Sequence, residues 1–252
     1  LALLGLGQAT AQAAGAPVFD PFAVNPLSAI TALDQARPAL GDLDGDGDLD
    51  LLVGNIGGTF QYFKNTGNAT SPLYLAVTGA QNPANGLSVA SAPSHPALVD
   101  LDGDGDLDLV SGSYPGTFVY FRNSGNASAP AFAVAPNPLA GLDVGSESTP
   151  TFGDLDGDGD QDLVAGMLTG AFAYLENTGS ATNPLFVQRF GAVNPLDGAT
   201  VGSLSAPTLG DADGDGDLDL VAGEAFGTFF YFQNTGSARR PAFKALVNAS
   251  NP

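Results

Sequence analysis

The residues best equipped for chemistry in this chain are aspartates set in rows. The pattern D-x-D-G-D-G-D-x-D occurs at residues 42–50, 100–108, 154–162 and 211–219. The rows supply Asp42, Asp44, Asp46, Asp48 and Asp50; Asp100, Asp102, Asp104, Asp106 and Asp108; Asp154, Asp156, Asp158, Asp160 and Asp162; and Asp211, Asp213, Asp215, Asp217 and Asp219. At roughly 5 Å and an effective dielectric of about 20, each carboxylate pair repels by about 3 kcal/mol. Such rows call for a hard divalent cation with oxygen ligands, calcium above all, at about one ion per row.

Position by position, the first row reads as a metal loop. Asp42, Asp44 and Asp46 stand at positions one, three and five, where alternate side chains converge. Gly47 permits a sharp turn, Asp48 at position seven offers its carbonyl, and Asp50 at position nine closes the shell. The side chains of Asp48, Asp106, Asp160 and Asp217 stay open between ligand, outer-shell water and solvent. A helix-flanked EF-hand needs a bidentate glutamate at position twelve. Val53, Ser111, Ala165 and Ala222 stand there, so the loops belong between strands.

The rows also explain the charge. The chain has 27 acidic and 7 basic residues and a net charge of −20. Twenty of the acids lie in the rows, leaving seven acids against seven bases elsewhere. Four divalent ions would bring −20 to −12. A charge confined to loops is not the signature of a disordered acidic tail. No basic patch is present to meet phosphates, which argues against nucleic acid. There is no cysteine and one histidine, which argues against disulfides and zinc. His95 has no visible nucleophile partner, and five carboxylates leave a bound ion little room for substrate, so no enzyme is expected.

The elements that must hold the rows repeat with them. The rows recur after 58, 54 and 57 residues, and Asn-Pro recurs at Asn25, Asn82, Asn137, Asn194 and Asn251. Each unit has an apolar run ending in the first aspartate, a second run such as Leu49 to Gly54, an aromatic run such as Phe60 to Phe63, and a proline-led run such as Pro72 to Val77. These predict four short strands per unit and almost no helix. Phe60 and Tyr62 share a face, as do Phe118 and Tyr120, Phe172 and Tyr174, and Phe229 and Tyr231. They read as packing between sheets, with a sugar-binding platform as the alternative. Ile56, Tyr114, Met167 and Phe226 read as variable loop positions suited to repeat-specific contacts.

The proline-led run occurs a fifth time, at Pro17 to Phe19, so one strand is spare against four full units. Three readings fit: an excerpt of a longer array, a small ring with an extra strand, or a strand that completes a sheet in a neighbouring molecule. Residues 1–15 read as a signal-peptide remnant or an apolar N-terminal strand, and 16–252 as the repeats. No stretch is long enough for a transmembrane helix.

The string D-x-D-G-D-G-D-x-D-L-[LV]-x-G, followed by G-[TA]-F-x-Y and N-[TS]-G, resembles the FG-GAP/VCBS repeat, also found in the β-propeller of integrin α subunits. The resemblance covers about residues 16–252. It implies an all-β propeller-type array of four-stranded blades, with calcium between the first two strands of each. It further implies side-chain ligands from positions one, three, five and nine and a carbonyl from position seven. Integrin-type propellers have seven blades, whereas this chain has four full units. The expected function is a secreted or cell-surface, non-catalytic calcium-binding protein used in adhesion or extracellular assembly. Its partners would be copies of itself, through a spare strand, or an extracellular protein or glycan. The alternatives are a calcium-dependent lectin-like or protein-ligand-binding propeller and a non-catalytic portion of a secreted enzyme. Sequons at Asn68, Asn126 and Asn248 overlap a repeated turn and read as turn chemistry first.

Overall fold

The computed structural model describes residues 25–28 and 30–246. Within them the chain forms four antiparallel sheets of four strands, each strand pairing with the next in sequence. The first sheet holds β1 (Arg37–Gly41), β2 (Asp50–Gly54), β3 (Phe60–Asn65) and β4 (Tyr74–Val77). The second holds β5 (His95–Val99), β6 (Asp108–Gly112), β7 (Phe118–Asn123) and β8 (Phe132–Val134). The third holds β9 (Thr149–Gly153), β10 (Asp162–Gly166), β11 (Phe172–Asn177) and β12 (Phe186–Arg189). The fourth holds β13 (Ala206–Gly210), β14 (Asp219–Gly223), β15 (Phe229–Asn234) and β16 (Phe243–Leu246). Two single turns of 3-10 helix, Gly79–Gln81 and Gly191–Val193, are the only helical segments among the described residues. This is an all-β, four-bladed propeller fold, as the repeat pattern predicts. The expected spare strand at Pro17 to Phe19 lies outside the described residues.

The first strand of every blade faces one central cavity of about 740 Å³. Each carries proline at its second residue: Pro38, Pro96, Pro150 and Pro207. Proline is tolerated on an edge strand, where one side needs no ladder bond, and it discourages another strand from pairing there.

Blades stack face to face through three apolar interfaces. Leu52, Phe60 and Tyr62 of the first blade pack with Leu109, Phe121 and Phe132 of the second. Val110, Phe118 and Tyr120 of the second blade pack with Leu163, Leu175 and Phe186 of the third. Val164, Phe172 and Tyr174 of the third blade pack with Leu220, Ala222 and Phe232 of the fourth. Phe60 meets Phe121 edge-on at 6.0 Å, and Phe172 meets Phe232 edge-on at 5.6 Å. The expected core role of the aromatic pairs therefore holds, and the sugar platform is excluded in the first three blades by burial. In the fourth, Tyr231 is buried while Phe229 is largely exposed.

The Asn-Pro marker fixes the linkers. Asn82 and Asn137 each donate from Nδ2 to the carbonyl of Phe60 and Phe118, at 3.4 and 2.8 Å. Their Oδ1 atoms accept from the amides of Ala84 and Leu139, both at 2.9 Å. A buried serine ends each linker and laces the preceding blade. Ser205 Oγ, for example, accepts from the Met167 amide and donates to the Ala171 carbonyl, each at 2.8 Å.

The two end faces differ from these interfaces. Leu98 and Leu107 of the second blade reach within 2.8 Å of where a Cβ on Gly41 would lie, and Leu218 and Leu209 lie 2.6 and 3.1 Å from the same point on Gly153. Their equivalents on the first blade, Leu40 and Leu49, are 55% and 52% exposed. Gly210, the fourth blade's equivalent of Gly41, has nothing within 4 Å of that point. Ile30 and Ala32 cover part of the first blade's end face, against Leu51, Val53 and Phe63.

These contacts predict unequal costs for one substitution. A Cβ on Gly166 would lie 2.0 Å from the Ser205 carbonyl oxygen, whereas at Gly223 its nearest neighbour is Phe229 at 3.7 Å. Gly166→Ala should destabilise by about 2 kcal/mol or more and Gly223→Ala by less than about 0.5 kcal/mol. Urea unfolding of the two variants would check this, and equal midpoints would refute it.

Candidate metal centres

The four aspartate rows form the loops between the first and second strands of the blades. The same hydrogen bonds shape all four. At position one, Asp42 accepts from the Gly45 amide at 2.7 Å through Oδ1 and from the Gly47 amide at 2.9 Å through Oδ2. Asp100, Asp154 and Asp211 repeat both contacts. Gly45 and Gly47 hold φ of 72° and 89°, in the left-handed region. That region favours glycine, which explains the two glycines in every row.

The position-nine carboxylate is the buried anchor. Asp50 Oδ2 accepts from the Leu43 amide at 3.2 Å and from the Tyr62 hydroxyl at 2.8 Å. Its Oδ1 accepts from the Asn65 amide at 2.7 Å. Asp108, Asp162 and Asp219 repeat the arrangement with Tyr120, Tyr174 and Tyr231. Asn65 Oδ1 in turn accepts from the amides of Gly67 and Leu73, so the N-[TS]-G turn joins the same unit. The aromatic motif thus has a second task that spacing did not reveal: its tyrosine holds the loop.

The remaining carboxylates converge. Oxygens of Asp42, Asp44 and Asp50 lie within 4.8 Å of one another, as do those of Asp100, Asp102 and Asp108, and of Asp211, Asp213 and Asp219. In the third loop the group is Asp154, Asp156 and Asp158. Positions one and three are therefore gathered in every loop, position nine in three and position five in one. The position-five carboxylates elsewhere are exposed, and Asp46 Oδ1 accepts from the Asp48 amide at 3.0 Å. At position seven, Asp160 and Asp217 are buried and each leaves Oδ1 without a hydrogen-bond partner. Asp48 and Asp106 are half-buried.

Crowding and burial raise these acids. Burial, then the neighbouring Asp158, Asp156 and Asp154, pushes Asp160 up to about 6. Burial pushes Asp162 up to about 7 against the pull of its donors. Asp102, Asp156 and Asp217 are also raised, with burial first and neighbouring aspartates next. Asp44 Oδ1 and Asp102 Oδ1 are likewise buried without a partner. A buried carboxylate without a donor is unfavourable, and a cation relieves both that deficit and the repulsion. The donors are all oxygen, which fits a hard divalent ion rather than a soft one.

A second cluster lies in the central cavity. Arg37 Nη2 stands 3.3 Å from Glu147 Oε1, and His95 Nε2 stands 3.7 Å from the same oxygen. His95 Nδ1 is 3.2 Å from Thr149 Oγ1. Glu224 lines the same cavity, with Oε2 unpartnered. Arg37, His95, Thr149 and Ala206 are the first residues of the four inner strands. The differences among these four positions are visible in the sequence, but only the fold places them round one cavity. The variable loop positions expected from sequence need a correction. Ile56, Tyr114, Leu168 and Ala225 are the equivalent residues, each second after the glycine that ends its blade's second strand. Met167 aligns instead with Asn55 and is half-buried, and Phe226 lies one residue further on, 88% exposed.

A family model described as FG-GAP-like repeat matches residues 42–111 and 100–165. Residues 42–165 are thus FG-GAP-like repeats. Among solved structures it is similar to an Agrocybe aegerita lectin that recognises non-reducing terminal N-acetylglucosamine. The identity is 20%, over 87% of this chain and 53% of that one, with a TM-score of 0.45. It is also similar to the Photorhabdus luminescens Tc holotoxin pore, at 19% identity over 77% of this chain and 9% of that one, TM-score 0.44. A third likeness is to a glycoside hydrolase family 43 arabinoxylan arabinofuranohydrolase from Bacillus subtilis. There the identity is 10%, over 84% and 50% of the two chains, with a TM-score of 0.47. The chain spans about half the length of the first and third of these. No curated protein matches the sequence. Among the described residues, no helix is long and apolar enough to cross a membrane.

The cavity cluster yields a pH prediction. Burial, then Arg37, lowers His95 from its ordinary 6.5 to about 3, so the folded chain keeps it neutral. The unfolded chain binds that proton near pH 6.5, so this contribution is full above pH 6.5 and is lost as pH falls toward 3. Between pH 7 and 5, the native chain should lose stability more steeply than His95→Gln, by up to about 1.4 kcal/mol per pH unit. Parallel chemical unfolding of both chains reads the slopes, and equal slopes would refute it.

Proposed function

We propose that this chain is a non-catalytic, calcium-stabilised repeat module that works outside the cell in adhesion or structural assembly. Each loop would hold one ion, through side chains at positions one, three, five and nine and the carbonyl at position seven. The side chains of Asp160 and Asp217 would join in the third and fourth loops. The observation that carries this reading is the set of buried, unpartnered carboxylate oxygens in loops with no chemical use for them except a cation. Extracellular calcium modules bind at about 10⁻⁴–10⁻³ M, where calcium outside cells keeps them filled. A structural role suits the repetition, because four like sites each hold a hairpin within its own blade. The histidine, buried beside Arg37 and Glu147, suits packing better than proton transfer.

Chelation should then return the repulsion. In millimolar calcium the melting temperature should exceed that in EDTA by about 10 °C or more, as summed binding at four sites implies. Identical melts would overturn the calcium reading.

Self-association is the partner proposal, and the end faces support it. Leu40 and Leu49 are the exposed counterparts of leucines that pack on a glycine at two internal interfaces, and Gly210 is the open counterpart of that glycine. A second copy docking its first blade on the fourth blade would repeat the leucine-on-glycine contact of those two interfaces. Such a head-to-tail contact propagates unless rotation closes it. Light scattering should show assemblies in the native chain and monomers in Leu40→Asp/Leu49→Asp. Equal particle mass in both would refute this contact.

A further inference from the structure

We propose that the four loops are graded in cation affinity and that one strand position sets the grade. This rests on the metal reading above and concerns how the sites differ. The position is the fifth residue of the third strand in each blade: Lys64, Arg122, Glu176 and Gln233. Period-two alternation puts Phe60, Tyr62 and Lys64 on one face. Tyr62 reaches the loop's ninth position, and Lys64 reaches its third.

The four residues treat their loops differently. Lys64 Nζ forms an ion pair with Asp44 Oδ2. Arg122 does the same in the second loop, with Nε 2.5 Å from Asp102 Oδ2 and Nη2 3.2 Å from Asp104 Oδ2. The first two loops therefore carry a tethered positive charge on the third-position carboxylate. The fourth loop has a neutral counterpart, since Gln233 Nε2 donates to Asp213 Oδ2 at 2.6 Å. The third loop has an acid there. Glu176 is held by Arg189, with Nε and Nη2 each donating at 2.8 Å, so that arginine is directed to Glu176 rather than to the row.

A divalent ion entering the first or second loop must displace this cation or bind beside it. Either route weakens binding by like-charge repulsion or by loss of the ion pair. Lys64 and Arg122 side chains are 40% and 50% exposed, so water and salt screen the effect. At about 5 Å and the dielectric of water, a unit charge acting on a divalent ion changes affinity by roughly tenfold per site. The third and fourth loops fill first, and the first two fill only as calcium rises. Below that threshold Lys64 and Arg122 act as built-in counter-ions. The chain then has a metal-dependent half and a half that tolerates low calcium.

Calorimetric calcium titration of the full chain tests this. The native chain should show two classes of two sites, separated by roughly tenfold in affinity. Lys64→Gln/Arg122→Gln should tighten the weak class and merge the two. Gln233→Lys should move one site from the tight class to the weak one. An isotherm unaltered in Lys64→Gln/Arg122→Gln, with calcium still bound, would overturn the grading alone. No binding to the native chain, by heat or by thermal shift, would overturn the metal reading itself.

Discussion

The buried carboxylate at the ninth position of each loop accepts a tyrosine hydroxyl and two backbone amides, and the rest of the blade is arranged so that those donors are present. Asp50 draws in Leu43 from the loop, Tyr62 from the third strand and the backbone of Asn65 at that strand's end. A charged group this deep is tolerated only when its acceptors are satisfied. Meeting that requirement fixes the hairpin's register, the tyrosine's rotamer and the direction of the following turn. It also fixes the mouth of the loop, where the remaining carboxylates crowd. Satisfied and unsatisfied acids thus stand side by side: one anchors the fold, and the others leave a demand for positive charge.

The blades meet that demand unequally while meeting the packing demand alike. The tyrosine that holds Asp50 also lies in the apolar interface with the next blade, next to Phe60. Loop geometry and blade stacking are therefore mechanically joined through one side chain. Two residues further along that strand, the chemistry is free to vary, and it varies from lysine through arginine and glutamate to glutamine. A position that faces the loop without filling the interface can change the site's charge without disturbing the stack.

Much of this was legible in the sequence. The rows, their glycines and the failure of position twelve placed the loops in hairpins, and the strand count per blade followed from turn residues. The aromatic pairs read correctly as packing in the first three blades. The tyrosine's bond to the ninth position did not, because twelve residues separate Tyr62 from Asp50. The role of Asn-Pro was likewise hidden: Asn82 bonds to a carbonyl 22 residues earlier. Met167 and Phe226 were misaligned because loop residues carry no periodicity, and only the strand ends set the count.

The sequence by itself determined the repeat, its strands and the chemistry of its loops, because these depend on neighbours a few residues apart. Glycine conformations, side-chain alternation and carboxylate spacing are local facts. Tertiary structure alone decided which carboxylate is buried, which cations rest on the loops, which residues share the central cavity and which faces stay open at the ends. Those outcomes come from contacts between distant segments, such as Arg37 with Glu147 across 110 residues. Their energies depend on burial that no linear pattern displays. The aspartates could hold a metal ion in any copy; only the fold shows that the four copies are not equivalent.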